Sequence, residues 1–144
     1  MNVLVDTNVL LRRTQPNHEH HRAAKESVLR LLDQGAFLHI TAQNIGEFWN
    51  VATRPLKNNG LGFSVAQAVE ELEKLERALQ LLPDTPGLYP EWKKLIIKHS
   101  VLGSKIHDAR LVASMNVHNI RRILTFNGSD FARYGVEVLH PDAV

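Results

Sequence analysis

The chain contains no cysteine. Disulfides, thiolate metal sites and a cysteine nucleophile are therefore excluded, and a reducing compartment suits the protein. No apolar run approaches the roughly 20 residues of a membrane-spanning helix, and the first residues lack the basic and apolar regions of a signal peptide. From these absences we expect a cytoplasmic protein with no membrane partner.

Neither sign of charge is in large excess, since 17 Lys and Arg residues face 15 Asp and Glu residues. This balance permits a partner that carries phosphate groups but does not require one. The 144 residues are 44% hydrophobic and 22% charged, which is ordinary for a folded domain and too apolar for disorder. No repeat, low-complexity tract or linker divides the chain, so we predict one domain over residues 1–144.

Short apolar segments alternate with amphipathic ones along the chain. The pattern predicts strands over residues 3–5, 37–41, 122–126 and 136–139, and helices from near residue 9 and over 18–34, 42–53, 64–78, 90–99 and 104–115. Residues 79–82 fit either the end of a helix or a strand. This alternation predicts an α/β domain with a largely parallel sheet, in which active sites lie beyond the carboxyl ends of the strands.

Asp6 stands between two apolar runs, where the first predicted strand passes into a helix. Burying a carboxylate there costs several kcal/mol unless a partner or a metal ion compensates the charge. Thr7 or Asn8 is the expected cap of that helix, so three oxygen-bearing side chains meet at one strand end. Asp6 could alternatively serve only to cap the helix. A phosphoaspartate hydrolase would need a second aspartate in place of Asn8, so that chemistry is not favoured.

Asp108 lies on a predicted helix, and a helical wheel groups it with the apolar Leu111, Val112 and Met115. It therefore points where the core should be. The alternative role is that of a first-turn acid, stabilised by the helix dipole behind a cap at Ser104. Because the dipole does not require the acid to occupy the apolar face, the position favours a functional role.

The other acidic candidates are ambiguous when each is taken alone. Glu47 lies beside the apolar stripe of its predicted helix and could be an ordinary exposed glutamate. Asn127 and Asp130 follow a predicted strand but also suit a turn. Most of these regions nevertheless lie at strand ends or at the helix starts that follow. Carboxylates that converge there repel one another, and Mg²⁺, which prefers oxygen ligands, would relieve that repulsion.

Four segments together resemble the acidic motifs of PIN domains. They are Val5-Asp6-Thr7-Asn8, Glu47 in a helix ending Thr53-Arg54-Pro55, His107-Asp108-Ala109, and Thr125-Phe126-Asn127-Gly128-Ser129-Asp130-Phe131. Their order and spacing, over residues 2–138, are most similar to those of short bacterial toxins of the VapC type. The resemblance implies a three-layer α/β/α fold around a mainly parallel sheet, and a ribonuclease that depends on Mg²⁺, with Mn²⁺ as a substitute.

The resemblance also assigns roles to residues. Asp6, Glu47 and Asp108 would be catalytic and, with Asp130, would hold the metal. The family often has an acid where this chain has the neutral Asn127, so the use of Asp130 and the binding of one or two ions stay open. The groups expected to hydrogen-bond to the metal ligands are Thr7, Asn8, Thr125 and Asn127. RNA is the implied substrate, and a small antitoxin protein and a second copy of the chain are the implied partners.

Basic side chains near these motifs are candidates for contact with RNA phosphates. We single out Arg12, Arg54 and Lys105, although a solvated surface is the alternative for each of them. Two histidines of the predicted helix over 18–34, His18 and His21, would share a face, but an exposed helix start explains them better than a metal site does.

Other functions are compatible with the same residues. One is a PIN-type nuclease in RNA maturation, and another is a non-catalytic RNA- or protein-binding module with the same fold. A phosphatase that acts on small phosphate esters is a third. Metal-dependent cleavage of RNA separates the first of these from the other two.

Overall fold

The computed structural model describes residues 1–144, and a five-stranded parallel sheet runs through its centre in the order β3-β2-β1-β4-β5. The strands are β1 (Asn2–Val5), β2 (Phe37–Thr41), β3 (Gln80–Leu82), β4 (Arg122–Leu124) and β5 (Glu137–Leu139). The helices are α1 (Thr7–Arg12), α2 (His21–Asp33), α3 (Ala42–Thr53), α4 (Val65–Ala78), α5 (Leu88–Lys98) and α6 (Ile106–Val117).

A separate hydrophobic core covers each face of the sheet. Because successive strand residues point to opposite faces, Val3 and Val5 pack with helices α1 to α4, whereas Leu4 packs with α5 and α6. All three are fully buried, which fits an uninterrupted apolar run in a central parallel strand. Helices therefore flank the sheet on both sides, and the predicted three-layer α/β/α fold is confirmed.

Several local signals act as the sequence predicts. Ser64 and Gln67 form a capping box at the start of α4, with each side chain bonded to the other's backbone N–H. Gly35 has a φ of +82° just after α2, a conformation that favours glycine at a helix end. Helix α3 ends where Arg54, the residue before proline, turns to extended backbone.

The predicted start of α1 is wrong. The helix begins at Thr7 instead of near residue 9, and its cap is Asp6 rather than Thr7 or Asn8. The Asp6 carboxylate accepts the Thr7 backbone N–H and so satisfies an amide that the helix itself leaves unpaired.

Helix α2 also begins later than predicted, at His21 instead of residue 18. The chain before it is held in turns, since the backbone N–H of His18 bonds to the Gln15 carbonyl and that of His20 to the His18 ring. His18 and His21 therefore do not share a helical face.

Three smaller differences concern the second half of the chain. Residues 79–82 contribute the strand β3. Strand β4 ends at Leu124 instead of residue 126, because the Phe126 N–H bonds to the Asn8 side chain and leaves the sheet. Ser104 is not a cap: it lies within a 3₁₀ turn, Gly103–Lys105, and α6 begins at Ile106 without a side-chain cap.

The fold brings the carboxyl ends of β1, β2 and β4 together in the middle of one sheet edge. Asp6, Thr41 and Thr125 stand at these ends, in the place where parallel α/β sheets carry their sites. None of the six helices combines the length and the apolar character needed to cross a membrane.

Candidate functional site

Asp6 lies at the end of the central strand, and only 9% of its surface is exposed. Its Oδ1 accepts a hydrogen bond from the Thr7 backbone N–H at 2.8 Å. Its Oδ2 accepts from the Thr125 hydroxyl at 2.8 Å and from the Asn8 amide at 3.3 Å. Asp6 is therefore the helix cap that the alternative interpretation expected, but it is also a buried carboxylate held by groups from two sheet strands.

The charge on Asp6 is costly in this position. The pKa of Asp6 is raised to about 6; burial is the largest cause, and the charges of the nearby Glu47 and Asp108 carboxylates act in the same direction. The hydrogen bonds from Thr125 and Thr7 act in the opposite direction and lower the same pKa. The two acids from α3 and α6 are thus close enough for their charge to be felt at Asp6, although no direct contact joins them to it.

Thr125 connects the groups around Asp6. Its hydroxyl is fully buried, and besides donating to Asp6 it accepts the Asn8 amide at 3.2 Å and the Asn127 backbone N–H at 3.0 Å. Asn8 in turn accepts the Phe126 N–H at 3.3 Å. The structure therefore brings the predicted hydrogen-bonding residues Asn8 and Thr125 to Asp6, whereas Asn127 contributes its backbone to Thr125.

Glu47 is anchored to the start of α1. The Thr7 hydroxyl donates to Glu47 Oε1 at 3.1 Å and accepts from the Asn44 amide at 3.0 Å. Asn44 is fully buried, and its Oδ1 also accepts from the backbone N–H and the hydroxyl of Thr41, both at 2.9 Å. Glu47 is half-buried and is therefore not the freely exposed helical glutamate of the alternative interpretation.

Asn44 and Thr41 are members of this network that the sequence analysis missed. The signal was present, because Thr41 and Asn44 stand at the first and fourth positions of a capping-box pattern. The pattern identifies a helix start, but it does not reveal that the same Asn44 amide reaches Thr7 on another helix. That contact exists only after β1 and β2 have paired.

Asp108 lies in the first turn of α6 and is half-buried instead of pointing into the core. Burial is the largest influence on its pKa and raises it, followed by the charge of Asp130, while Lys105 lowers it and Glu47 raises it. The start of α6 is tied to α3, because the Gln43 amide donates to the His107 carbonyl at 2.9 Å. Glu47 and Asp108 thus come from two helices that the structure links directly.

Asp130 is paired with Lys105 at the outer edge of the acidic group. Lys105 Nζ donates to Asp130 Oδ1 at 2.9 Å, and this bond raises the pKa of Lys105. Asp130 is close enough to raise the pKa of Asp108 but is not among the groups that affect Asp6. Asp130 therefore belongs to the Asp108 side of the site. The Asn127 side chain does not cap the turn that leads to it.

The predicted RNA contacts lie at different distances from the acids. Lys105 is beside Asp108 and Asp130, as described above. Arg12 is half-buried one helical turn after Asn8, and its guanidinium donates to the Gln15 side chain at 2.7 Å. Arg54 is half-buried about 10 Å further along α3 than Glu47, given the 1.5 Å rise per residue, and no contact joins it to the acids.

The side chains gathered at this site carry oxygen donors, the kind of ligand that hard divalent cations prefer. No group of three or more histidine, aspartate or glutamate side chains is arranged so that it could hold a metal ion. However, the charges of Glu47 and Asp108 raise the pKa of Asp6, and those of Asp130 and Glu47 raise the pKa of Asp108, which is the repulsion that a bound cation would remove. Mg²⁺ keeps several waters and commonly uses only one or two carboxylates, so it does not need a closed cage of protein ligands.

Comparison with known proteins gives a consistent picture. The family model described as "PIN domain" matches residues 3–137, which is most of the chain. No curated protein sequence matches.

Solved structures resemble the whole chain at low sequence identity. VapBC2 from Rickettsia felis, bound to a DNA fragment from its promoter, is 14% identical with a TM-score of 0.70, over 97% of this chain and 98% of that one. Mycobacterium tuberculosis VapC20, described as a sarcin-ricin loop cleaving toxin, is 21% identical with a TM-score of 0.68, over 93% and 95%. VapBC-1 from nontypeable Haemophilus influenzae is 14% identical with a TM-score of 0.68, over 99% of both chains. At these identities the likeness establishes the fold.

Proposed function

The chain belongs to the PIN domain family, and from this premise we propose that it is a Mg²⁺-dependent endoribonuclease, the toxin of a toxin–antitoxin pair. The observation that carries the proposal is Asp6, a buried carboxylate that the fold holds by hydrogen bonds at the carboxyl end of the central strand. A carboxylate needed only as a helix cap would not require the additional bond from Thr125, which is 119 residues away in the chain.

The metal ligands would be Asp6, Glu47 and Asp108, with Asp130 as a further carboxylate beside Asp108. Mn²⁺ would substitute for Mg²⁺, because both ions suit carboxylate and water ligands. A bound cation would supply a water of lowered pKa and would stabilise negative charge on the transferring phosphoryl group. Asp6 would be charged and ready to bind a cation above about pH 6.

The residues around the acids would keep them in position for hydrolysis of a phosphodiester. The Thr7 hydroxyl occupies Glu47 Oε1, which leaves Oε2 to orient the attacking water. The water oxygen would bond to phosphorus as the bond to the 3′ oxygen breaks, which yields a 3′-hydroxyl and a 5′-phosphate. The Thr125 hydroxyl would donate to Oδ2 of Asp6 and keep it in position, as hydrogen-bonding partners do for other metal-binding side chains.

RNA would approach over the basic residues that surround the acids. Lys105 is paired with Asp130 and Arg12 lies one helical turn after Asn8, and both would contact phosphates near the cleaved bond. Arg54 would contact a more distant phosphate. Such contacts give affinity without sequence selection.

Partners follow from the likeness to VapBC complexes. Two of the similar structures are of VapBC, from Rickettsia felis and Haemophilus influenzae. By analogy we propose that a small antitoxin protein binds this chain and blocks its acidic site, and that the chain forms a homodimer. The toxin role is distinguished from RNA maturation by growth arrest upon expression of the chain alone and its relief by the antitoxin.

The test of the nuclease is cleavage of labelled RNA by the purified protein with Mg²⁺ and with EDTA. We expect Asp6→Asn and Asp108→Asn to lower the cleavage rate by about 10³-fold or more, because loss of metal-assisted stabilisation is worth several kcal/mol. Asp33→Asn is the matched control, because Asp33 is exposed at the end of α2 and has the same carboxylate-to-amide change.

The outcomes of this test are separable. Activity that requires Mg²⁺ and both carboxylates, and that survives Asp33→Asn, supports the proposal. Cleavage that continues in EDTA or in both site variants contradicts it. Hydrolysis of a small phosphate monoester in the absence of RNA cleavage would indicate a phosphatase instead.

A further inference from the structure

Four rings lie in a row beside the acidic site, and we call them the ring cluster: His18, His20, Phe126 and His140. The His18 and His20 ring centroids are 5.4 Å apart, and His20 stacks on Phe126 at 4.8 Å with an interplanar angle of 27°. His140 and Phe126 form a T-shaped pair, with ring centroids 5.5 Å apart and an interplanar angle of 86°. These rings come from the turn before α2, the end of β4 and the end of β5, so only the tertiary fold assembles them.

The ring cluster lines an open pocket of about 340 Å³. Asn8, Asn127 and Arg12 share its wall, and Glu19 stands at its rim with 82% of its side chain exposed. Asn8 is the link to the acids, because its amide contacts Asp6 Oδ2 at 3.3 Å from within that wall. The pocket therefore adjoins the acidic site, and Asn8 lies between the pocket and Asp6.

The imidazoles are not there to complete the core. His20 and His140 keep 42% and 43% of their side chains exposed, and the His20 side chain makes no capping hydrogen bond to α2. Phe126 is partly buried against the core and fixes the position of the stack. Rings that are held in place yet open to solvent have the character of a stacking surface.

We propose that the ring cluster is a subsite for one base of single-stranded RNA, next to the phosphate that the acids cleave. The proposal rests on the proposed function, since it names how that site takes its substrate. Aromatic and imidazole rings stack on the face of any base, and this stacking tolerates different sequences. The Arg12 guanidinium on the same wall would contact the phosphate of the stacked nucleotide.

The experiment compares two strands that differ only in their bases. A fluorescent 12-nucleotide oligoadenylate and an abasic ribose-phosphate strand of the same length are titrated with protein in EDTA, so that nothing is cleaved. We expect the wild-type protein to bind the oligoadenylate about tenfold more tightly, which is the lower end of the effect of stacking one base. Repulsion by the carboxylates acts on both strands and cancels in the ratio of their Kd values.

Variants assign that ratio to the rings. His20→Ala should bring the ratio close to one, whereas His20→Phe, which keeps a ring, should retain it. Arg12→Ala should weaken binding of both strands by a similar factor and leave the ratio unchanged. The matched control is His118→Ala, which removes a half-buried imidazole at the opposite end of α6 and should leave both affinities unchanged.

The outcomes distinguish this proposal from the nuclease itself. A ratio near one for the wild-type protein, or a ratio that His20→Ala leaves intact in a folded protein, overturns the subsite even if RNA is cleaved. A ratio that depends on the ring of His20 supports the subsite, whatever the cleavage assay shows. His140→Ala provides a second variant if His20→Ala does not fold, and the same loss of the ratio is expected.

Discussion

The acidic site has two halves that the protein holds in different ways. The inner half is centred on two buried side chains and is tied by hydrogen bonds across the sheet edge; its members are the buried Asp6 and Thr125 and the half-buried Thr7, Asn8 and Glu47. The outer half lies at the start of α6 and in the turn after β4, is more exposed, and depends on an ion pair; its members are Lys105, Asp108 and Asp130.

This difference shows how the two halves bear the cost of clustered charge. In the inner half no cation compensates Asp6, and burial raises its pKa to about 6 despite the hydrogen bonds that it accepts. In the outer half Lys105 lies between two carboxylates and lowers the pKa of Asp108, while solvent reduces the remaining repulsion. The side chains of the inner half are therefore held more firmly, but their negative charge is less well compensated. We expect a bound cation to stabilise the inner half more than the outer half.

The largest expected effect on stability is that of Asp6→Asn. The pKa of Asp6 rises from 3.8 to about 6 on folding, so the ionised carboxylate lowers the free energy of unfolding by about 3 kcal/mol at 1.4 kcal/mol per pKa unit. The folded state favours the protonated form, so this group's contribution is greatest below pH 3.8 and is lost as the pH rises to about 6. At pH 7.5 in EDTA, the free energy of unfolding of Asp6→Asn, measured by chemical denaturation, should exceed that of the wild-type protein by about 1–3 kcal/mol.

The pH profile and the outer half provide the control for this prediction. The gain should disappear near pH 4, where Asp6 is protonated in the folded protein. Asp108→Asn should raise the free energy of unfolding at pH 7.5 by less than Asp6→Asn does, because Asp108 is half-exposed and has Lys105 nearby. Equal gains in the two variants, or a destabilised Asp6→Asn, would contradict the distinction between the two halves.

A slightly smaller effect is expected from Mg²⁺ on the wild-type protein. A cation that binds only the folded state at 100 times its Kd stabilises that state by about 2.7 kcal/mol. Thermal unfolding with increasing Mg²⁺ should therefore raise the Tm of the wild-type protein and of Asp33→Asn, while Asp6→Asn should respond little. An equal rise in all three proteins would mean that the ion binds away from the inner half.

The next effect concerns Thr125, whose hydroxyl joins the end of β4 to Asp6 at the end of β1. Thr125→Val removes the hydroxyl while keeping the shape, and the loss of such a supporting bond costs about 10- to 100-fold in activity or metal affinity. Since the Thr125 bond lowers the pKa of Asp6, its loss should also move the acidic limb of the pH–rate profile to higher pH. Thr125→Ser keeps the hydroxyl and is the control; a profile that shifts equally in both variants would exclude this role.

Sequence reasoning succeeded where the signal is local. The apolar run Val3-Leu4-Val5, the capping box at Ser64 and the helix end before Pro55 each depend on a few neighbouring residues, and the structure has them as predicted. The same holds for the position of Asp6, because a charge between two apolar runs is visible without knowledge of the fold.

Sequence reasoning failed where the role of a residue depends on a partner far away in the chain. Asp6 replaces Thr7 as the cap of α1 because Thr7 is engaged with Glu47 and Asn44, residues that reach it only through the pairing of β1 with β2. The helical wheel predicts that Asp108 points into the core. The wheel does not show that Asp108 lies in the first turn of α6, at the sheet edge and near Asp130. The ring cluster was missed for the same reason, since its members are up to 122 residues apart in the sequence.

The smallest expected effect is that of Lys105→Ala, which tests the outer half. The ion pair with Asp130 is exposed to solvent, so its loss should leave the free energy of unfolding almost unchanged. Asp108 would lose the cation that lowers its pKa, and RNA would lose one phosphate contact, so the slope of log Kd against log salt should fall by about 1. Lys93→Ala, on the exposed face of α5, is the matched control. If Lys105→Ala instead reduced cleavage as severely as Asp6→Asn, the ion pair would be as essential as the buried network, and the two halves would have to be treated as one cooperative unit.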